Sequence, residues 1–184
     1  GNLALKLAGD YGAQHPPQLR GVAAVSPILE IAPCVDALER RANIVYQLNF
    51  VRGLRARMRR KDRLHPGRFD LSRLADVWTV RRFDDAYTAP AFGFRDAADY
   101  YHRASAMRVI HRISVPTLII TAEDDPFVPV EPFHDPAVSA NANITLTITR
   151  HGGHCGFVGE ADGQRDGYWA EEVIVRFALE RLNR

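Results

Sequence analysis

A chain of 184 residues, 46% hydrophobic and 25% charged, can enclose a sizeable core and has the composition of an ordinary globular protein. A net charge of +2 is too mild to imply a nucleic-acid partner, and none is expected. No run approaches the roughly 18 apolar residues that cross a bilayer, and no signal peptide is visible.

The chain opens on Gly1-Asn2-Leu3 without an initiator Met and goes straight into a helical pattern. Leu3, Ala4, Leu5, Leu7 and Ala8 lie on a helix from Asn2 to Tyr11, with Gly12 as its C-terminal stop. His15-Pro16-Pro17 forms a turn. Leu19 to Ser26 is a short apolar run of the kind that makes a buried parallel strand, closed by Pro27.

From Ile28 to about Met107 the pattern is helical, with no strand evident. Asp36 to Arg63 reads as one long helix with an apolar stripe of Leu38, Ile44, Val45, Leu48, Val51, Leu54 and Met58. It carries a dense basic run: Arg52, Arg55, Arg57, Arg59, Arg60, Lys61 and Arg63. Such a run suits a solvated helix face ending at a C-terminus that favours cations. The alternative is a patch for an anionic surface, such as weak contact with a membrane, or for nucleic acid. His65-Pro66-Gly67 breaks the helix, and shorter amphipathic pieces follow at Leu71 to Val77, Val80 to Tyr87 and Ala97 to Met107. An all-helical insertion between strands is the pattern of a cap, here residues 28–107.

Strand character resumes at Thr117 to Ala122, and Glu131 to Ala140 reads as irregular or a short helix. Asn143 to Thr149 alternates as a strand, and Asp166 to Leu182 closes the chain as an amphipathic helix. This order predicts an α/β fold, a mostly parallel sheet flanked by helices, forming a single partial domain over 1–184.

Two strand ends carry the chemistry. The first runs into Glu123-Asp124-Asp125-Pro126, the second into Arg150-His151-Gly152-Gly153-His154-Cys155-Gly156-Phe157. Open α/β sheets bind ligands at the C-terminal edge, and a strand-end aspartate followed by a strand-end histidine matches the Asp-to-His order of a hydrolase triad. Asp125 is the first choice for the carboxylate that orients His154, with Asp124 as the runner-up. The nucleophile is missing: Gly-x-Ser-x-Gly occurs nowhere, and Ser26 precedes a proline instead of a helix. Cys155 is a conceivable nucleophile, but neighbouring residues usually point apart. His151, His154 and Cys155 could ligate zinc, but no second Cys/His pair supports a site, and neither metal nor cofactor is expected. Cys34 and Cys155, far apart and without a CxxC, suit a reducing compartment and, with no signal visible, a cytoplasmic location.

Several motifs together resemble the YheT-type α/β-hydrolases, related to the abhydrolase-domain 1/2/3 proteins and the yeast ethanol acyltransferases. They are Gly1-Asn2-Leu3-Ala4, Phe83-Asp84-Asp85-Ala86-Tyr87-Thr88-Ala89-Pro90 with Gly93-Phe94, and Asp99-Tyr100-Tyr101 with Ser105. Ile113 to Ile119, Asp124-Asp125-Pro126 and Gly152-Gly153-His154-Cys155-Gly156-Phe157 complete the set. In that family the nucleophile turn reads Gly-x-Ser-x-Gly-Gly-Asn. The resemblance implies that Gly1-Asn2 is the tail of this turn, that the serine lies three positions before residue 1, and that Asp125 and His154 are acid and base. The chain would then be a C-terminal part of the fold, inactive without its serine. The expected activity of the parent is hydrolysis of small apolar carboxylic esters. Acyl transfer to an alcohol, or non-catalytic binding on a hydrolase scaffold, are the alternatives.

Overall fold

The structure is a computed structural model and describes residues 1–161 and 166–182. In chain order it holds α1 (Asn2–Tyr11), β1 (Val22–Val25), α2 (Ile31–Leu38), α3 (Ile44–Leu64), α4 (Val80–Phe83) and α5 (Ala89–Ala91). These are followed by α6 (Ala97–Ala104), β2 (Thr117–Ala122), α7 (Pro136–Ser139), β3 (Ile144–Thr149) and α8 (Trp169–Leu182). The chain forms two compact units, residues 1–31 with 104–184, and residues 32–103.

The first unit is built on a parallel sheet in the order β1-β2-β3. Val22 pairs with Thr117 and Val25 with Ile120 on one side of β2, and Thr117 with Ile144 through Ala122 with Thr149 on the other. All six residues of the central strand are buried, which is why Thr117-Leu118-Ile119-Ile120-Thr121-Ala122 shows no polar alternation. Leu118, Ile120 and Ala122 pack with Phe157 against Trp169, Val173, Ile174 and Phe177, so α8 covers one face. α1 packs against β1 and α7 against β3. Leu5 and Ala8 on α1 and Val138 on α7 are buried. This is the parallel α/β arrangement expected from the sequence.

The chain leaves and re-enters this unit at two adjacent points. The Leu29 carbonyl accepts from Met107 N–H at 3.1 Å, the Ser105 hydroxyl accepts from Ile31 N–H at 2.9 Å, and Glu30 pairs with Arg108. Asn2, at the start of α1, holds the returning segment: its amide donates to the Ala104 carbonyl (3.0 Å) and accepts from Ala106 N–H (2.8 Å).

The second unit is helical, around a cluster of Val51, Met58, Leu74, Val77 and Phe83. The expected long helix from Asp36 to Arg63 is instead two, α2 and α3, joined by an extended Arg40 and a short 3₁₀ turn at Arg41–Asn43. The break is held by buried Asn43, whose amide donates to the Ala37 carbonyl at 2.9 Å. A short polar side chain that bonds local backbone competes with helix continuation. A second irregularity is a π-turn at Asp84–Thr88 between α4 and α5. It carries buried Asp84, which accepts from the hydroxyl of buried Tyr101 at 2.7 Å.

Candidate active site

Asp125 lies three residues past the end of β2, and its side chain is fully buried. One carboxylate oxygen, Oδ1, accepts from the backbone N–H groups of Phe127 and Val128, each at 3.0 Å. The other, Oδ2, stands 2.9 Å from Nδ1 of His154. Burial pushes this carboxyl up, but the hydrogen bonds from His154, Phe127 and Val128 outweigh it and hold Asp125 below the usual carboxylate range. An ionised carboxylate can only accept, so the proton of this bond sits on Nδ1 and a neutral His154 keeps its lone pair on Nε2. The imidazole is 45% exposed, and Phe127 stands edge-on to it with ring centroids 5.0 Å apart.

The loop that presents His154 depends on its glycines. Gly153 has φ +51°, a left-handed conformation that disfavours side chains. A Cβ on Gly152 would lie 2.5 Å from the Phe157 ring, so glycine there lets Phe157 fold back beneath the loop, where it joins the core. Gly156 N–H closes the turn on the Gly152 carbonyl at 2.7 Å.

Asp124 and Asp125 grip this loop in different ways. Asp124 Oδ1 accepts from Gly153 N–H at 2.7 Å, and Oδ2 lies 3.4 Å from His151 Nδ1. The Gly153 bond is the main reason its carboxyl sits below the usual range. Thus Asp125 meets the ring of His154, while Asp124 meets the backbone one residue before it. Sequence reasoning offered these neighbours as alternatives and missed that both reach the same loop. The signal was the juxtaposition of Asp-Asp with a Gly-Gly-His turn that needs an external acceptor.

Cys155 is exposed. Among the described residues no serine hydroxyl is hydrogen-bonded to His154. Ser72 is engaged with Asp70, Ser105 accepts from Ile31, Ser114 donates to the Gly12 carbonyl at 2.5 Å and Ser139 to the Asp135 carbonyl at 3.2 Å. Ser26 differs. It follows β1, donates its N–H to the Ile120 carbonyl at 2.8 Å, and is buried with a hydroxyl that has no hydrogen-bond partner. Its φ of +42° is the only positive value at a non-glycine among the described residues. Side chains are rarely held there unless the surroundings over-determine them. Gly1 lies against the next residue: a Cβ on Gly1 would stand 2.6 Å from Pro27.

No protein-family profile matches the chain. It is 36% identical over 161 residues to the protein named "Putative esterase YheT" of Escherichia coli, a match covering 86% of this chain and 46% of the relative. It is 28% identical over 178 residues to phospholipase ABHD3 of Mus musculus, covering 96% of this chain and 43% of that protein. Over 100 residues it is 38% identical to medium-chain fatty acid ethyl ester synthase/esterase 2 of Saccharomyces cerevisiae, covering 54% of this chain and 21% of that protein. The chain therefore spans less than half the length of each of these relatives. With its helix-flanked parallel sheet and these relatives, the chain belongs to the α/β-hydrolases, alongside YheT and the abhydrolase-domain proteins.

Proposed function

We propose that the protein is a serine hydrolase acting on carboxylic esters of apolar acids, with His154 as general base and Asp125 as the carboxylate that orients it. The observation that carries this reading is the 2.9 Å contact between Asp125 Oδ2 and His154 Nδ1 beyond neighbouring ends of a parallel sheet. The arrangement leaves Nε2 to move protons. Names of relatives that include an esterase, a phospholipase and an ester synthase/esterase support the ester substrate.

The nucleophile in this reading is the serine that the family resemblance sets three positions before Gly1. The packing of Gly1 on Pro27, just past the C-terminal end of β1, supports this, because a serine so close would emerge near the edge that carries Asp125 and His154. The serine oxygen attacks the ester carbonyl as its proton passes to Nε2 of His154. The imidazolium returns that proton to the departing alcohol oxygen. Water then attacks the acyl-enzyme, again giving a proton to Nε2, and the acid leaves as the serine is restored. Throughout, Asp125 stays ionised, fixes the tautomer and stabilises the imidazolium.

The helical insertion, 28–107, is proposed as a cap that shapes the site for the acyl group, and the location as cytoplasmic. Among the described residues no helix is long and apolar enough to cross a membrane.

In the full-length protein, fluorophosphonate labelling tests the assignment. His154→Ala should abolish labelling, and full labelling of that variant would overturn the role of His154. A sequence upstream of Gly1 without Gly-x-Ser-x would leave a binding protein on a hydrolase scaffold. Transfer to an alcohol is a second reading, favoured by the yeast relative named as an ethyl ester synthase. Added ethanol should then divert product from acid to ethyl ester.

A further inference from the structure

The basic run sits on α3, whose buried stripe is Gln47, Val51 and Met58. Six cations of α3 are exposed, Arg52, Arg57, Arg59, Arg60, Lys61 and Arg63, and of these Arg52, Arg59 and Arg63 share one face away from the buried stripe. Among the described residues none of the six has a carboxylate within ion-pair distance. Some arginines elsewhere in the same unit are paired: Arg81 with Asp36 and Glu39, Arg95 with Asp96, and Arg103 with Asp99. The helix dipole accounts only for Lys61 and Arg63, which lie in the last turn, because its effect fades beyond that turn. Arg52, Arg57 and Arg59 lie outside its reach. A solvated face normally intersperses both signs, and like charges three or four residues apart on a helix repel.

The same face has a second property. Its first two turns expose Val45 (73%) and Leu48 (53%). Val45, Leu48, Arg52, Arg59 and Arg63 follow one another in steps of three, four and seven, so apolar and cationic groups share one line along the helix. Over 21 residues α3 extends about 30 Å. Nucleic acid would match the cations and offer nothing to valine and leucine. A lipid surface answers both, taking aliphatic groups among its acyl chains and cations at its phosphates.

We propose that α3 docks on an anionic phospholipid surface, its first turns inserting apolar side chains and its later turns meeting lipid phosphates. This is independent of the active-site reading and sharpens the weak membrane contact considered from the sequence.

Co-sedimentation of the purified chain with phosphatidylcholine vesicles, with and without phosphatidylglycerol, tests it. Binding is expected only with phosphatidylglycerol and should fall steeply with added salt. The triple variant Arg52→Glu, Arg59→Glu, Arg63→Glu should weaken it on the order of a hundredfold, since each cation near an anionic surface contributes about fivefold. Val45→Ser with Leu48→Ser should weaken binding severalfold at low salt. The reversals Arg68→Glu, Arg73→Glu and Arg82→Glu, at exposed positions off α3, should change binding much less, and circular dichroism should show every variant folded. Equal binding to uncharged vesicles, unchanged binding by the folded triple variant, or stronger binding to duplex DNA than to the vesicles would overturn the proposal.

Discussion

The sheet unit and the helical unit bury charge in opposite ways. In the sheet unit the fully buried side chain of Asp125 receives three hydrogen bonds that favour the carboxylate, and its pKa is lowered. In the helical unit Asp84 is buried on a π-turn, and desolvation outweighs the hydrogen bonds from Thr88 and Tyr101, so its pKa is raised. Hydrogen bonds outweigh burial at Asp125, and burial outweighs hydrogen bonds at Asp84. Three donors are aimed at Asp125 and two at Asp84, and the neighbouring Asp85 carboxylate also raises Asp84.

The largest effect concerns the first of these. In the full-length protein Asp125→Asn should lower kcat on the order of ten-thousandfold, because an amide can donate to Nδ1 and favour the wrong imidazole tautomer. Asp124→Asn keeps an oxygen for Gly153 N–H and should stay within about tenfold of wild type. Asp124→Ala, which removes that acceptor, should lose more than Asp124→Asn. Equal losses in Asp125→Asn and Asp124→Asn, measured by steady-state ester hydrolysis, would erase the proposed distinction between the two neighbours.

Next in size is packing. The chain has two tryptophans, Trp78 in the helical unit and Trp169 in the sheet unit, so single-tryptophan variants can follow each unit by fluorescence. Ile119→Ala removes a fully buried side chain from a strand with no exposed residue, and should cost about 4 kcal/mol seen at Trp169. Met58→Ala opens a smaller cluster around a flexible side chain and should cost about 2 kcal/mol seen at Trp78. A larger loss for Met58 than for Ile119 would contradict the view that the sheet is the more tightly specified core.

How much was legible follows from the same contrast. The run Thr117 to Ala122, the alternation from Ile144 and the acidic and glycine-rich strand ends are local patterns, and the sheet follows them. The break before α3 depends on Asn43 reaching the Ala37 carbonyl, and the π-turn accompanies a contact between Asp84 and Tyr101 across 17 residues. The left-handed Ser26 and the bond from Gly153 to Asp124 are likewise tertiary. Hydrophobic periodicity does not encode such choices, because each turns on the hydrogen bonding or backbone conformation of a single polar residue or loop glycine.

Tyr101→Phe sharpens the comparison at a smaller scale. It removes a 2.7 Å donor from a buried carboxyl and should destabilise the helical unit by about 1–3 kcal/mol, read at Trp78. Burial is the main reason the Tyr101 hydroxyl is held far above its ordinary pKa, with the nearby Asp84 carboxyl acting in the same direction, so its ionisation plays no part near neutrality.

The smallest effect is the response to acid, and its sign differs between the two carboxyls. The raised pKa of Asp84 means the native state holds its proton more tightly than the unfolded chain does. Its contribution is fully present below the unfolded value of about 3.9 and is lost as pH rises through the higher native value. The lowered pKa of Asp125 gives the reverse: its contribution is present above about 3.9 and disappears as pH falls through the lower native value. Partly buried Asp96 and Asp99 also sit low, held by Arg95 through its side chain and its backbone N–H respectively, so the raw acid response of the helical unit mixes both signs. The informative quantity is therefore the difference between wild type and each asparagine variant in urea midpoint, followed from about pH 6 to about pH 3. Asp84→Asn should make the midpoint at Trp78 fall more steeply with acid than in wild type, because the group that gains protons on folding is gone. Asp125→Asn should make the midpoint at Trp169 fall less steeply. Shifts of the same sign in both variants would mean that one of the two pKa values is moved in the opposite direction, and the contrast between the units would not stand.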